Sequence, residues 1–166
     1  MIDEDSGEDD ALVFYRLAKK ARARGDYDQV RFNCEKAQKV FAGQKDLLFK
    51  IGCLYAHMKD QESAVFVWEK AVAFNKGDVN ACLNLSAAYI KMDRPEDGGA
   101  VLNAALEVEP DNAYLHLQLG YIYLVCELYE FSITHSQRAL EIDPGCLEAK
   151  ENLLSAERGL AATRGD

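Results

Sequence analysis

No apolar run in this chain approaches the ~20 residues that a membrane-spanning helix needs, so insertion into a bilayer is not expected. The opening Met-Ile-Asp-Glu-Asp-Ser-Gly-Glu-Asp-Asp lacks the basic start and apolar stretch of a secretory signal, which leads to the expectation of a cytoplasmic protein. Cysteine pairs at metal or redox spacing are missing. Cys34, Cys53, Cys82, Cys126 and Cys146 are scattered, with no C-x-x-C among them. That pattern argues for reduced structural thiols and against a disulfide framework or a zinc site. His57, His116 and His135 share no ligand spacing with cysteines or carboxylates, so no metal is expected. Gly98-Gly99 is not followed by Gly-Lys-Ser/Thr and forms no phosphate loop. With no nucleophile–base pair or cofactor motif, the chain reads as a non-enzyme with no catalytic residues and no cofactor. A formal net charge of −9 argues against nonspecific binding to nucleic acid.

What the chain does have is a period. Ala37, Ala71, Ala105 and Ala139 recur at one constant interval of thirty-four. Leu17, Ile51, Leu85 and Leu119 repeat on the same ruler, and so do Ala18, Gly52, Ser86 and Gly120. Tyr55, Tyr89 and Tyr123 form a further set, with Ala21 as its shortened first member. Small and aromatic residues at fixed offsets on this period mark a stacked array of helix–turn–helix units. The expected organisation is an acidic, flexible tail over 1–10, repeats at 11–44, 45–78, 79–112 and 113–146, a capping helix over 147–162 and a short flexible end. The first helices are expected near 11–24, 46–58, 80–91 and 113–126. The second are expected near 28–42, 62–74, 95–108 and 130–142. Apolar residues at helical spacing, such as Leu48, Ile51, Gly52 and Tyr55, support this. Gly25-Asp26, Lys59-Asp60 and Asp93-Arg94-Pro95 supply turns between helices, and Gly43, Gly77, Pro110 and Pro144 supply stops. Pro95 suits the first position of a helix, where its missing N–H would be unpaired anyway. No repeat can bury its apolar face alone, so Leu147, Leu153, Leu154 and Leu160 are expected to cover the fourth.

These residues resemble the tetratricopeptide repeat. The fourth repeat is the fullest copy, with Leu119, Gly120, Tyr123, Tyr129, Ala139 and Pro144. The third follows through Leu85, Tyr89, Gly98, Ala105 and Pro110, and the second through Ile51, Gly52, Tyr55, Ala64, Trp68 and Ala71. The first is degenerate but keeps Leu17, Ala18, Tyr27 and Ala37. The departures are Gly99 inside a helix, His116 where a large aromatic is usual, and Ala42 and Lys76 in place of the repeat-ending proline. The resemblance implies an all-α, right-handed superhelical stack with a C-terminal capping helix. It also implies a protein-binding module whose first helices line a concave groove for a partner peptide.

Projecting that groove onto this sequence gives two zones. The N-terminal zone holds Tyr15, Arg16, Lys19, Arg22, Phe49, Lys50 and His57. The C-terminal zone holds Leu83, Asn84, Ile90, Lys91, Tyr114, Leu117, Gln118, Tyr121 and Leu124. Counted across 11–24, 45–58, 79–92 and 113–126, these segments contain eight basic residues (Arg16, Lys19, Lys20, Arg22, Arg24, Lys45, Lys50 and Lys91) against Asp46 alone. A basic inner wall in an acidic chain points to an acidic peptide with apolar anchors. The acidic tail is a second candidate occupant, of its own chain or of a neighbour. The Lys, Asn, Asn, Lys and Arg clamp by which a subfamily holds chaperone tails is not present: the positions read Tyr15, Lys19, Lys50, Asn80 and Asn84 from the first repeat, and Phe49, Cys53, Asn84, Tyr114 and Gln118 from the second. Two alternatives remain, a secretion-type chaperone for a client subunit and a scaffold that self-assembles into a homo-oligomer.

Overall fold

The structure, a computed structural model, describes residues 6–44 and 46–165, with side chains from residue 10 onward. The described residues form nine α-helices and no strand. The chain divides into two compact units, Met1–Asn75 and Lys76–Asp166. In the first, α1 (Ser6–Ala23) pairs with α2 (Tyr27–Lys39), and α3 (Leu47–His57) pairs with α4 (Gln61–Phe74). In the second, α5 (Val79–Lys91) pairs with α6 (Pro95–Leu106) and α7 (Ala113–Val125) with α8 (Tyr129–Ile142). α9 (Leu147–Arg164) packs on both α7 and α8. α1 begins at Ser6, inside the stretch read from sequence as tail, while residues 1–5 lie outside the described residues.

The turn inside each pair is built the same way four times. Gly25, Lys59, Asp93 and Glu127 all have positive φ, from 58° to 75°. The residue after each sends its N–H back to the carbonyl of Ala21, Tyr55, Tyr89 or Tyr123, at 2.8–3.1 Å. A left-handed residue followed by this return bond closes a helix and satisfies a carbonyl that the helix leaves open. Only the first turn uses glycine, the residue to which this conformation costs nothing. The next helix is then capped where a short acid or amide follows: Asp26 accepts from Gln29 N at 3.1 Å, and Asp60 from Ser63 N at 3.3 Å. Asp78 and Asn112 cap α5 and α7 in the same manner.

The cores follow the combs. Ala37, Ala71, Ala105 and Ala139 are all buried, as are Ile51, Leu85 and Leu119. Leu17 departs from its set and is 42% exposed, at an open cavity between α1 and α2. The small residues set the helix spacing. A Cβ on Gly52 would lie 2.4 Å from Trp68 Nε1, and one on Gly120 would lie 2.7 Å from Ser136 Oγ. Residue sizes therefore trade across the contact: glycine in α3 makes room for the indole, whose N–H donates to Phe49 O at 3.2 Å. In α7 the same position faces serines, and Ser132 Oγ donates to Gly120 O at 2.8 Å. Ser136 Oγ is buried with no hydrogen-bond partner among the described residues.

α9 corrects the expected cap. Its buried residues are Ala149 and Ala156, with Leu153 and Leu160 half-buried beside them. Leu147 and Leu154 face water at 66% and 52% exposure. The helix comes close at Gly159, where a Cβ would meet the Tyr129 ring at 2.4 Å, and Arg164 ties it to Glu130 at 2.7 Å. Leu153 extends the series of Leu85 and Leu119 by one further period, so α9 holds the place of a first helix in a fifth repeat.

Candidate functional site

Residues of the expected N-terminal zone come together on α1 and α3. Lys19 Nζ lies 5.9 Å from the centroid of the Tyr15 ring one turn before it. Tyr15 is half-buried, and burial raises its phenol above the ordinary value. Cys53 pushes it the same way and Arg22 opposes them. That electrostatic coupling brings α1 and α3 to one place and adds Cys53, which is missing from the expected set. Its signal was in the repeat: Cys53 holds in the second repeat the position that Lys19 holds in the first. His57 is exposed, with its Nδ1 2.6 Å from Cys53 O. Phe49 is half-buried and gives its carbonyl to Trp68, while Lys50 beside it is exposed.

No described residue neutralises the cations of this face. Among the described residues the ion pairs belong to Arg31, Arg94, Arg138 and Arg164, none of which lies on a first helix of the four repeats. Arg16, Lys19, Arg22 and Lys50 are exposed, and none is in an ion pair with a described residue. Two other members of the basic set go elsewhere. Lys20 and Arg24 line a separate cavity of about 240 Å³ with Leu17, Asp26, Gln29 and Asn33, formed by α1 and α2 alone. They sit there because an α-helix advances about 100° per residue, which carries Lys20 away from Lys19. The basic wall is therefore smaller than the charge count suggested. Lys45 lies outside the described residues.

In the second unit, Tyr114 and Tyr121 on α7 are 54% and 43% exposed. Gln118 is half-buried one turn from each. On α5, Leu83 and Asn84 are half-buried and Lys91 is exposed. Asn84 spends its amide on Asn80 O at 2.9 Å. Leu117 is corrected: it is 6% exposed and packs with Ala139 and Ala149, so it belongs to the core beneath α9. Its carbonyl takes the Asn152 amide at 3.5 Å.

The histidines assort in a way that spacing does not reveal. His116 Nδ1 lies 3.0 Å from His135 Nδ1, and His116 Nε2 lies 3.0 Å from Pro110 O. A neutral pair fits this: His116 Nε2–H donates to the carbonyl, and His135 Nδ1–H donates to His116. Burial, and then His116, push His135 down to about 4. Its other face stacks on Tyr123, with centroids 5.3 Å apart. No group of three or more His, Cys, Asp or Glu residues able to hold a metal occurs among the described residues. The five cysteines are free, and burial pushes the Cys34 thiol up to about 12 and Cys82 to about 11, away from the reactive thiolate. No helix among the described residues is long and apolar enough to cross a membrane.

The family model of the tetratricopeptide repeat matches residues 46–78 and 79–112. No curated protein matches the chain by sequence. Among solved structures, a crystal structure of MamA protein is similar at a TM-score of 0.77 and 20% identity, covering 93% of this chain and 84% of that one. A tetratricopeptide repeat protein from Parabacteroides merdae is similar at a TM-score of 0.78 and 13% identity, over 93% of this chain and 61% of that one. The first such domain of Spaghetti (RPAP3), bound to the HSP90 peptide SRMEEVD, is similar at 0.66 and 20% identity, over 72% and 96%. Residues 46–112 match the family's own model as two consecutive tetratricopeptide repeats, and the helix pairs have the fold of the similar structures.

Proposed function

We propose that the chain is an interaction module whose first-helix faces hold a peptide segment of a partner protein, acidic and with apolar anchors. The observation that carries this is the charge of Lys19 and Arg22 beside the half-buried Tyr15, with Arg16 and Lys50 exposed on the same two helices and likewise in no ion pair with a described residue. Exposed cations that make no internal pair keep their full attraction for an incoming carboxylate, and an aromatic beside them supplies the apolar contact. Tyr114, Gln118 and Tyr121 offer the second unit a face of tyrosine and amide with no cation, suited to apolar and hydrogen-bonded parts of a segment. The similar RPAP3 domain holds a peptide with two glutamates and an aspartate beside methionine and valine, the same chemistry.

The test is fluorescence anisotropy with labelled SRMEEVD and its charge-reversed counterpart SRMKKVD. Tighter binding of the acidic peptide, lost when Arg16, Lys19 and Lys50 are changed to Glu together, supports the reading. Equal or tighter binding of the basic peptide defeats it.

A further inference from the structure

The second helices of the first unit carry a feature that the first-helix faces leave unexplained. α2 and α4 each present a phenylalanine to water: Phe32 is 51% exposed and Phe66 55%. Phe66 repeats Phe32 on the period of the array, and each has a lysine one turn on. Lys36 Nζ lies 5.5 Å from the Phe32 centroid, and Lys70 Nζ lies 4.2 Å from that of Phe66.

Beside Phe66 is an open cavity of about 350 Å³. Glu35 and Lys39 of α2 line one wall, Ser63, Phe66 and Lys70 of α4 line the other, and Tyr55 of α3 lies between. Lys70 Nζ donates to Gln38 Oε1 at 3.5 Å, which holds the ammonium at the rim. Tyr55 is only 4% exposed, yet its hydroxyl makes no hydrogen bond to any described residue. The hydroxyl is not sealed in the core: among the described residues the buried side-chain polar atom without a partner is Ser136 Oγ. This hydroxyl opens into the cavity, where a ligand atom can serve it.

We propose that this cavity is a second docking site, which takes a carboxylate side chain next to a large apolar one on a segment of a partner protein. The polarity follows from the lining. The phenol donates, Lys39 and Lys70 donate, and Glu35 is the one acid of the lining, while Asp60, which also acts on the phenol, is paired with Arg31. A carboxylate accepts from all three donors, whereas an amine would meet two lysines. The neighbouring apolar side chain lies on Phe66, whose exposed ring otherwise gains nothing from burial. A peptide suits the site better than a free acid. The cavity is open on one side and would leave a small molecule largely in water. A peptide continues onto the exposed ring of Phe32. The site uses none of the residues of the proposed first-helix face, so either can fail without the other.

The test is a ¹H–¹⁵N NMR titration with acetyl-Glu-Phe-amide, and with acetyl-Gln-Phe-amide and 3-phenylpropionate as comparisons. The expected result is shifts at Gln38, Ser63, Phe66 and Val67 that saturate in the low millimolar range, with the Gln peptide at least fivefold weaker. Tyr55→Phe keeps the ring and removes only the hydroxyl. It should weaken the Glu peptide about fivefold, a single hydrogen bond's worth, with Trp68 fluorescence unchanged as the check on folding. Lys70→Glu should abolish binding. Equal binding of the Glu and Gln peptides overturns the carboxylate. Equal or tighter binding of 3-phenylpropionate overturns the peptide. Shifts centred on Lys19 and Lys50, or none up to about 10 mM, overturn the site.

Discussion

Gly52 and Gly99 are both buried glycines inside helices, and the same substitution should move stability in opposite directions at the two. In Gly52→Ala the new Cβ falls 2.4 Å from Nε1, 2.5 Å from Cδ1 and 2.9 Å from Cε2 of Trp68. Carbon contacts relax near ~3.5–4.0 Å, so the indole must move by about 1 Å. It is 3% exposed and held by its bond to Phe49 O, which the shift would stretch. Overpacking of this kind costs about 1–3 kcal/mol and the weakened bond about 1 more. Alanine returns about 1 kcal/mol of helix propensity, which leaves a net loss of about 1–3 kcal/mol. In Gly99→Ala the Cβ meets only Ile122 Cγ2 at 3.7 Å, an ordinary contact. There the propensity gain of about 0.5–1 kcal/mol stands alone. Trp68 is the chain's one tryptophan, so its emission reports directly on the α3–α4 contact. Urea denaturation followed by that emission should show an earlier midpoint and a red-shifted native spectrum for Gly52→Ala. Far-UV circular dichroism should show a later midpoint for Gly99→Ala. A Gly52→Ala protein as stable as the parent, with unchanged emission, would refute the size trade between glycine and indole.

Three further outcomes follow from the same geometry. Glu127→Gly, at a φ of 58°, should raise stability by about 0.5–1 kcal/mol by relieving a left-handed residue, and a lower urea midpoint would count against the turn. Ser136→Ala should be neutral or stabilising by up to about 1 kcal/mol, because the hydroxyl is buried without a partner. A loss above that would mean the oxygen is satisfied. His135 is held neutral, at about 4 against about 6.5 when unfolded. Its contribution is present above pH 6.5 and is lost as pH falls toward 4, since the unfolded chain takes the proton first. One proton sets a ceiling of about 1.4 kcal/mol per pH unit, and a half-exposed ring reaches a fraction of it. Urea midpoints for the parent and His135→Asn should therefore diverge between pH 7 and 4.5 in their slope, and parallel slopes would dismiss the histidine.

Much of this fold is written in the sequence because the repeat states each contact several times. Ala71 alone says little, but four alanines on one ruler define a helix–helix seam, and all four are buried. What escaped was whatever occurs once. Leu117 looks like its groove counterparts until α9 folds back over it, and nothing in residues 113–126 announces that. Leu154, at the end of the small-residue series, reads as an apolar cap residue, yet its side of α9 meets no described helix. The histidine pair joins positions 19 apart, a separation shared by Leu48 and Val67 and by Cys82 and Val101. The pairing follows the register of the repeats and not any ligand spacing. The basic face was half legible: charge could be counted by window, but the split between Lys19 and Lys20 is a matter of helix angle. The cavity beside Phe66 was not legible, because which side chains line an opening is a property of surroundings and Tyr55 carries the same letter as Tyr89.

The register of α9 has a consequence for how the array counts itself. In the earlier first helices the position equivalent to Leu154 is alanine, glycine, serine and glycine, and the close approach of the following helix depends on that. Leucine there, with Glu157 where the tyrosines stand, makes α9 able to receive a preceding repeat and unable to seat its own second helix at the same spacing. Two side chains thus set how closely a following helix could approach α9. Appending a second helix should leave that helix undocked unless Leu154 is first made small.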